Sequence, residues 1–401
     1  MDYSKKKTVE DIDVAGKKVL VRCDFNVPLD ENGNITDTKR IDEAMKTINY
    51  LVSHNAKVIL CSHLGRPKGE VNMKYSLKPV AAYLSKKLGF DVKMASDVVG
   101  DSAKAIAADL KDGEVELLEN VRFEKGETKN DPELAKAMAS LAEIYVNDAF
   151  GTAHRAHAST ALIADKFPHD KMFGYVMENE LQAVDRLMLN PRRPFAAIIG
   201  GSKVSTKISI LENLMEKVDS IVIGGGMSYT FAAAQGGKVG NSLCEPEMFP
   251  TALEIVKKAE ERGVKLVFSP DALIADKFAE DADTRQAPVN DIPDGWMGLD
   301  IGEEGKKTFR EHILGCKTIL WNGPVGVFEM DKFATGSKAV AEAIAEATSK
   351  GAFSLIGGGD SVACINKFGL ADKVSYVSTG GGALLEYIEG KELPGVAAIR
   401  K

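Results

Sequence analysis

Short apolar runs recur along the chain, separated by longer segments whose apolar residues repeat every three or four positions. The short runs are rich in Val, Ile and Leu and begin at positions 17, 57, 115, 143, 195, 220, 264, 318, 353 and 374. Because they lack strict alternation with polar residues, they are typical of strands buried on both faces. The longer segments, such as 42–54, 131–144, 251–263 and 338–351, have the spacing of amphipathic helices. Strands that alternate with helices in this way predict parallel βαβ units.

A compact doubly wound parallel sheet has about six strands. Ten apolar runs are therefore too many for one such sheet. They predict an α/β fold of two doubly wound, Rossmann-like parallel-sheet lobes, with about five strands in each. A hinge helix at 174–194 would join the lobes, because its helical pattern begins with acidic residues, ends with basic residues and is closed by two prolines. The N-terminal lobe would then be residues 1–173 and the C-terminal lobe residues 195–390, with residues 391–401 returning to the N-terminal lobe.

Composition and charge narrow the classes of protein that fit this pattern. With 44% hydrophobic and 27% charged residues among 401, the chain matches ordinary globular proteins of two or three domains. Its net charge of −7 provides no overall positive field for nucleic acid, and no apolar run reaches the ~18 residues of a membrane span. We expect neither nucleic-acid nor membrane partners and, since no long apolar edge stands out, a monomer.

The five cysteines, at positions 23, 61, 244, 316 and 364, include no CxxC pair and no zinc-ligand spacing. Such an odd, scattered set is typical of reduced, mostly buried thiols in an intracellular protein. The first residues combine cations and acids without the apolar stretch of a secretory signal, and the last four, AIRK, lack a peroxisomal SKL address. We therefore expect a cytoplasmic protein.

In the first half, basic side chains follow the predicted strands, where open parallel sheets bind ligands. They are Arg22, Arg40, His63, Arg66, Arg122, His154, Arg155 and His157. A guanidinium group makes paired hydrogen bonds to a carboxylate or phosphate, so this half predicts a site for a small acidic metabolite. Any one arginine could be a solvated surface charge, but so many at the strand ends of one half favour a site. His154 and His157 have the spacing of a metal pair, yet Arg155 between them would repel a cation.

In the second half, glycine-rich turns follow the strands instead. They are GGSKVSTK (200–207), GGGMS (224–228), NGPVGVFE (322–329), GGGDS (357–361) and STGGG (378–382). Glycines at a strand-to-helix turn let backbone N–H groups approach phosphates, so this half predicts a nucleotide site, although a single glycine triplet could be only a tight turn. Asp360 could cap a helix or bind a nucleotide-held magnesium ion. No strand is followed by GxGxxG, and GxxxxGK[ST] is missing, which argues against a dehydrogenase or a P-loop enzyme.

Together, twelve motifs resemble the phosphoglycerate kinase family, in the same order and over essentially the whole chain. They are RCDFNVP, SHLGRP, LLENVRF, VNDAFGTAHRAH, GGSKVSTK, IGGGM, ADKF, IPDGWMGLDIG, WNGPVGVFE, IGGGDS, VSTGGGA and LPGV. The resemblance implies reversible phosphoryl transfer from 1,3-bisphosphoglycerate to MgADP, giving 3-phosphoglycerate and MgATP. A rival interpretation is a kinase for another small carboxylate, which would keep the glycine-rich half and change the arginine-rich half. A nucleotide-gated binding protein without chemistry would be expected to lack Arg40 or Lys203, and both are present.

The resemblance also implies roles for individual residues. The acid would be bound by Asp24, Asn26, Arg40, His63, Arg66, Arg122 and Arg155, with Arg40 at the reacting carboxyl group. Lys203 would contact the transferring phosphoryl group and would be, with Arg40, the catalytic pair. The nucleotide would be bound by Lys207 at its phosphates, Glu329 at the ribose, Gly201, Gly225, Gly226, Gly298, Leu299 and Pro324 at the adenine, and Gly358, Gly359 and Ser361 at a helix N-terminus. Asp360 would bind Mg²⁺, and Gly380–Gly382 would provide a second helix N-terminus.

Two segments depart from the family pattern. Thr206 stands where many members carry Asp, which bears on the organisation of the two lysines, and residues 268–272 (FSPDA) replace a more apolar stretch. The implied chemistry needs no phosphorylated protein nucleophile, because the protein only positions the oxygens and neutralises charge. A carboxylate acceptor is ionised at neutral pH and needs no general base.

Overall fold

The computed structural model describes residues 8–401. Backbone contacts divide the chain into two compact units, and the division falls between Gln182 and Ala183. The N-terminal unit runs up to Gln182 and also contains Glu392–Lys401, and the C-terminal unit is Ala183–Lys391. Within residues 8–401, no helix is long and apolar enough to cross a membrane.

A parallel sheet of six strands forms the centre of the N-terminal unit. The strands are β1 (Lys18–Arg22), β2 (Lys57–Cys61), β3 (Lys93–Met94), β4 (Val115–Leu117), β5 (Ile144–Asn147) and β6 (Lys171–Phe173). Their order is β3-β4-β2-β1-β5-β6, so β1 pairs with β2 on one side and with β5 on the other. Strands β3 and β6 are additional to the sequence prediction, because their residues, KM and KMF, include a lysine and no Val, Ile or Leu.

Helices cover this sheet, and their apolar faces explain where they lie. They are α1 (Lys39–Ser53), α2 (Lys78–Leu88), α3 (Asp101–Asp109) and α4 (Pro132–Ala139). Helix α5 (Tyr175–Met188) begins in this unit and continues past the division after Gln182. In α1, Ile41, Ile48 and Leu51 share one face and pack with Val19 and Val21 of β1. Helix α5 ends before Pro191, which restricts the backbone preceding it.

The C-terminal unit repeats this architecture with a second parallel sheet of six strands. They are β7 (Phe195–Ile199), β8 (Ser220–Ile223), β10 (Lys265–Phe268), β15 (Thr318–Asn322), β16 (Phe353–Ile356) and β17 (Tyr376–Val377). The order is β10-β8-β7-β15-β16-β17, which is the doubly wound order, and its crossover point lies between β7 and β15. An apolar run in the sequence predicts each of these strands. The two six-stranded sheets confirm the predicted fold class.

Two small sheets in this unit were not predicted. Their strands are β9 (Lys238–Val239), β11 (Asp271–Ala275), β12 (Thr284–Pro288), β13 (Asp291–Ile292) and β14 (Met297–Ile301). Strands β12, β11 and β14 form an antiparallel sheet, and β13 pairs with β9. These strands are short and partly polar, and they therefore lack the buried-strand pattern.

The remaining helices are α6 (Ile208–Leu214), α7 (Met227–Ala234), α8 (Phe249–Glu261), α9 (Glu303–Leu314), α10 (Thr335–Ser349), α11 (Gly359–Lys367), α12 (Gly382–Ile388) and α13 (Pro394–Arg400). Segment 268–272, which departs from the family pattern, supplies the cap of one of these helices. Asp271 accepts hydrogen bonds from the N–H groups of Glu304 and Gly305 at 3.0 and 2.8 Å, so it caps the first turn of α9.

All five cysteines lie in the described residues and are free thiols, and only Cys244 is partly exposed.

Candidate functional site

Arg22 lies at the carboxyl ends of the central strands in the N-terminal unit and connects the loops there. It is the last residue of β1 and is fully buried. Its Nε donates to Ser159 Oγ at 2.8 Å, and its Nη2 lies 3.2 Å from His63 Nδ1. The buried carboxylate of Glu127 lies 3.9 Å from the same Nη2 and balances the charge. The guanidinium of Arg22 is thus engaged by protein groups and acts as a structural support.

Asp24, Asn26 and Arg40 form a hydrogen-bonded group in the loops beside it. Arg40, in the first turn of α1, donates from Nη1 to Asp24 Oδ1 at 3.1 Å and to the Asn26 carbonyl at 3.2 Å. The Asn26 side chain accepts from the Gly65 N–H at 2.9 Å, which ties the loop after β1 to the loop after β2. The Arg40 side chain remains 38% exposed. Asp24 therefore orients Arg40 and leaves part of its guanidinium accessible to a ligand.

His63 and His157 are neutral at pH 7. His63 follows β2 and is almost fully buried. Burial and the guanidinium groups of Arg22, Arg122 and Arg40 lower the pKa of His63 well below its usual range. Burial, together with Arg122 and other nearby cations, lowers the pKa of His157 to about 4. The positive charge of this region therefore comes from its arginines, and His63 offers a neutral imidazole.

Arg122 carries a charge that its neighbours compensate only in part. It lies in a short 3₁₀ helix after β4, and Asn120 Oδ1 accepts from its N–H at 3.0 Å. Burial and the repulsion from Arg22 lower the pKa of Arg122. Its Nη1 donates to the Gly65 carbonyl at 3.0 Å, while its buried Nε has no hydrogen-bond partner among residues 8–401. A bound anion would offset the remaining positive charge.

Arg66 and Arg155 are exposed at the edge of the same cluster. Arg66 contributes to the lowered pKa of Arg122, and Arg155 contributes to that of His157. The seven residues that the resemblance assigns to the acid therefore lie in one unit, on loops that follow the strands or, for Arg40, at the start of α1. In the described part of the chain, no group of three or more His, Cys, Asp or Glu side chains is arranged to hold a metal ion.

In the C-terminal unit, glycines let three strand-end loops contact one another backbone to backbone. These loops follow β7, β8 and β15, and β7 lies between the other two strands. A Cβ on Gly200 would lie 2.0 Å from the Pro324 carbonyl oxygen, and a Cβ on Gly225 would lie 2.6 Å from the Gly201 carbonyl oxygen. Side chains there would push the loops apart. The strand ends therefore present backbone groups, as a phosphate-binding surface requires.

The two lysines of the first loop have different surroundings. Lys207 donates from Nζ to Asn322 Oδ1 at 2.7 Å, and Asn322 Nδ2 donates to the Gly357 carbonyl at 2.8 Å. Burial lowers the pKa of Lys207, although the charges of Asp360 and Glu389 oppose this. Lys203 is exposed. The loop thus presents one anchored ammonium group and one that faces solvent.

Asp360 lies in the first turn of α11, where Gly358 is the N-cap residue. The alternative that Asp360 is the N-cap is therefore wrong, and its carboxylate is exposed. A Cβ on Gly358 would lie 2.5 Å from Asn322 Nδ2, so only glycine fits there. Ser361 Oγ accepts from the Gly323 N–H at 2.6 Å. The start of α11 is thus tied to the loop after β15.

Of the residues assigned to the adenine and ribose, Gly298 and Leu299 lie on β14, Pro324 and Glu329 lie on the loop after β15, and the other glycines lie on the loops after β7 and β8. Gly298 is packed against Tyr229, since an added Cβ would lie 2.2 Å from the phenol oxygen. Leu299 is buried, and its carbonyl accepts from the Val327 N–H at 2.9 Å, which joins β14 to the loop. Glu329 is exposed on that loop.

The Gly380–Gly382 segment leads into α12. Gly381 is the N-cap residue and has a φ of 49°. The Gly380 N–H donates to Ser378 Oγ at 3.0 Å.

Two buried residues that organise these loops, Asn322 and Asp300, are not among the predicted site residues. Asn322 joins Lys207 to α11 as described above. Asp300, the fourth residue of β14, accepts from the N–H groups of Ile301 and Gly336, each at 2.8 Å, and burial raises its pKa to about 7. The sequence could have pointed to both residues, because each is a polar residue near the end of an apolar run, in TILWN and in MGLDI.

Comparison with known proteins accords with this arrangement. Residues 9–391 match the family model described as phosphoglycerate kinase. The chain is 56% identical to the phosphoglycerate kinase of Porphyromonas gingivalis, over 98% of this chain and 100% of that protein. It is 55% identical to the cytosolic phosphoglycerate kinase 3 of Arabidopsis thaliana, over 98% of this chain and 97% of that protein.

Solved structures agree with the sequence comparisons. The phosphoglycerate kinase of Coxiella burnetii aligns with a TM-score of 0.92 at 42% identity, covering 98% of this chain and 99% of that one. That of Pyrococcus horikoshii aligns with a TM-score of 0.81 at 30% identity, covering 98% of each chain. Since the family model spans nearly the whole sequence and full-length relatives share more than half of their residues with it, the chain belongs to the phosphoglycerate kinase family.

Proposed function

We propose that this chain transfers a phosphoryl group reversibly from 1,3-bisphosphoglycerate to MgADP, giving 3-phosphoglycerate and MgATP in glycolysis and gluconeogenesis. Family membership supports the reaction. The observation that carries the assignment of the two substrates is the contrast between the units. Arginines cluster at the strand ends of the N-terminal unit, whereas glycine-rich loops follow the strands of the C-terminal unit.

The N-terminal unit binds the glycerate in this proposal. Arg66, Arg122 and Arg155 hold the phosphate that is not transferred, and the only partly compensated charge of Arg122 supports this role. Neutral His63 contributes a hydrogen bond rather than a charge. Arg40 meets the reacting carboxyl group, in the orientation that Asp24 and Asn26 impose on it.

The C-terminal unit binds the nucleotide in this proposal. Lys207, anchored by Asn322, meets the nucleotide phosphates together with the first turn of α11. Solvent-facing Lys203 meets the transferring phosphoryl group. Gly201 and Gly225 present backbone groups without side chains, because their loops pack backbone to backbone. The remaining adenine and ribose contacts come from β14 and the loop after β15.

The residues present fit a magnesium ion that arrives with the nucleotide. Mg²⁺ commonly binds to one or two carboxylates and to substrate phosphates. Asp360 supplies one exposed carboxylate beside the phosphate loops, and its charge acts on Lys207. The ion, when bound, neutralises phosphate charge, while Lys203, Lys207 and Arg40 supply the protein's own positive charge.

Phosphoryl transfer by these residues is direct and in line. The protein positions the donor and acceptor oxygens and neutralises the charge on the moving group, without a phosphorylated intermediate. Since one unit holds each substrate, we propose that the units close when both substrates are bound. Closure also keeps water away from the acyl phosphate.

We further propose that the enzyme acts as a monomer in the cytoplasm. One chain carries both sets of binding residues, and the Arabidopsis relative is named as cytosolic. The free thiols of all five cysteines are consistent with a reducing compartment.

A coupled assay tests the proposed reaction. The purified protein is mixed with 3-phosphoglycerate, MgATP, glyceraldehyde-phosphate dehydrogenase and NADH. We expect loss of NADH absorbance that requires all substrates. A panel of other small carboxylates is compared by the release of ADP from MgATP, because the coupling dehydrogenase reduces only the glycerate product. Faster ADP release with one of them would overturn the glycerate assignment.

A further inference from the structure

The two lysines of the first glycine loop are separated by a single 3₁₀ turn, Val204–Thr206. Lys203 is the N-cap residue of this turn and makes no side-chain capping bond. Thr206 Oγ1 donates to the Lys203 carbonyl at 3.0 Å and closes the turn on one side. The first N–H groups of a helical turn have no partner within it, so those of Val204 and Ser205 need acceptors from elsewhere.

Glu245, forty residues further along the chain, supplies the acceptors. Its Oε1 accepts from the Ser205 N–H at 3.2 Å, and its Oε2 accepts from the Ser205 hydroxyl at 2.6 Å. Burial raises the pKa of Glu245, but the hydrogen bonds from Ser205 and Val204 and the charge of Lys203 outweigh it, and the net pKa is lowered. Glu245 is therefore ionised at neutral pH and caps the turn with a full negative charge.

Glu245 is also attached to the second glycine loop. Its own N–H donates to Thr230 Oγ1 at 3.1 Å. Thr230 is fully buried on α7, the helix that begins directly after Gly224–Gly226. Only 8% of Glu245 is exposed, so the carboxylate has little freedom to move. The residue therefore connects the lysine turn to the helix behind the second glycine loop.

We propose that Glu245 and Ser205 are positioning residues for phosphoryl transfer, which hold the turn that carries Lys203 in its productive orientation. The inference rests on the proposed function, because it assumes that Lys203 meets the transferring phosphoryl group. Glu245 does not contact substrate. It acts through the backbone of the turn, and the exposed Lys203 side chain depends on that backbone for its direction. A displacement of about 1 Å at such a group can lower a rate by about 10²-fold.

Steady-state kinetics of four variants test the proposal in the coupled assay. We expect Glu245→Ala to lower kcat by roughly 10- to 100-fold, with little change in KM for 3-phosphoglycerate, because Lys203 loses its orientation. Glu245→Gln keeps an acceptor oxygen and should restore most of kcat. Ser205→Ala removes one bond and should have a smaller effect. Glu247→Ala is the matched control, since it removes an exposed carboxylate two positions away and should leave kcat unchanged.

A double-mutant cycle separates positioning from general stability. If Glu245 acts through Lys203, Glu245→Ala should cause almost no further loss of kcat in the Lys203→Ala background. Multiplicative losses in that cycle would overturn the proposal, as would a kcat for Glu245→Ala equal to that of Glu247→Ala. Should Glu245→Ala fail to fold, as judged by its melting temperature, the Ser205→Ala variant carries the test, and a kcat for it equal to that of Glu247→Ala would overturn the proposal. Failure of the proposed function itself would be seen separately, as an inactive wild-type protein.

Discussion

Lys207 Nζ lies 2.7 Å from Asn322 Oδ1, although the two residues are 115 positions apart in the sequence. Asn322 is the last residue of β15, the strand next to β7. Its side-chain nitrogen donates a hydrogen bond to the carbonyl of Gly357, which lies just before α11. One asparagine thus fixes the lysine of the first glycine loop relative to the helix that carries Asp360. The proposed nucleotide site depends on this contact.

Asn322→Ala is expected to weaken nucleotide binding. A hydrogen bond to a charged group contributes about 1.5–3 kcal/mol, so KM for MgATP should rise by roughly 10- to 100-fold, while KM for 3-phosphoglycerate changes little. Steady-state kinetics with each substrate varied would measure both. Asn366→Ala, at an exposed position of α11, is the control. Equal increases in the two KM values would show that Asn322 serves general folding instead.

Arg40→Ala and Lys203→Ala are expected to lower kcat by on the order of 10² to 10⁵, with smaller changes in KM, because both cations are proposed to act on the phosphoryl group in the transition state. Lys203→Arg should not restore full activity, since a planar guanidinium does not replace a compact ammonium group. Arg66→Ala, in the phosphate cluster, should act mainly through KM for the glycerate. An Arg40→Ala enzyme with normal kcat and raised KM would make Arg40 an ordinary binding residue.

Asp360→Ala is expected to weaken MgADP binding and turnover, because its carboxylate is exposed and is not the N-cap of α11. Binding of 3-phosphoglycerate alone should be unchanged. Isothermal titration of each ligand, with magnesium varied, would measure these effects. A variant with the magnesium dependence of the wild type would exclude a metal-binding role.

Asp300 should make the C-terminal unit less stable as pH rises from about 4 to 7. Burial raises the pKa of its carboxyl group to about 7, so the folded state binds more protons than the unfolded state in this range. Asp300→Asn cannot titrate. The free energy of unfolding of the wild type should therefore fall relative to that of the variant, by up to about 1.4 kcal/mol per pH unit.

Urea unfolding between pH 4 and 8 would measure this change. Both tryptophans, Trp296 and Trp321, belong to the C-terminal unit, so their fluorescence reports its unfolding. Asp294→Asn, at an exposed position, is the control and should show no such slope. A constant difference between wild type and Asp300→Asn across this range would contradict the raised pKa.

Binding of both substrates is expected to compact the molecule, because direct transfer requires the two units to bring their ligands together. Small-angle X-ray scattering should show a smaller radius of gyration with 3-phosphoglycerate and a non-hydrolysable MgATP analogue together than with either alone. Identical scattering in all states would exclude closure.

Much of this protein could be predicted from the local pattern of the sequence. The apolar runs identify all six strands of the second sheet and four of the first, since a strand buried on both faces must be continuously apolar. The motifs after those strands place most of the assigned site residues on a strand end, a neighbouring loop or the start of a helix, whereas Gly298 and Leu299 lie within the unpredicted strand β14. The contrast between an arginine-rich and a glycine-rich half is likewise a property of the sequence.

Other features depend on contacts between residues far apart in the sequence. The small sheet of β11, β12 and β14 owes its stability to pairing and to contacts such as that between Tyr229 and Gly298, so its short, partly polar strands show no pattern of their own. The neutral state of His63 results from burial among guanidinium groups that the fold brings together.

The sequence by itself therefore determined the fold class, the family and the chemical character of each half, because these follow from periodicity, composition and residue order. Only the tertiary structure decided which polar groups meet. Asn322 anchors Lys207, Glu245 caps the turn beside Lys203, and Asp24 orients Arg40. Hydrogen bonds act over about 3 Å, and separation along the chain does not reveal which side chains come that close after folding.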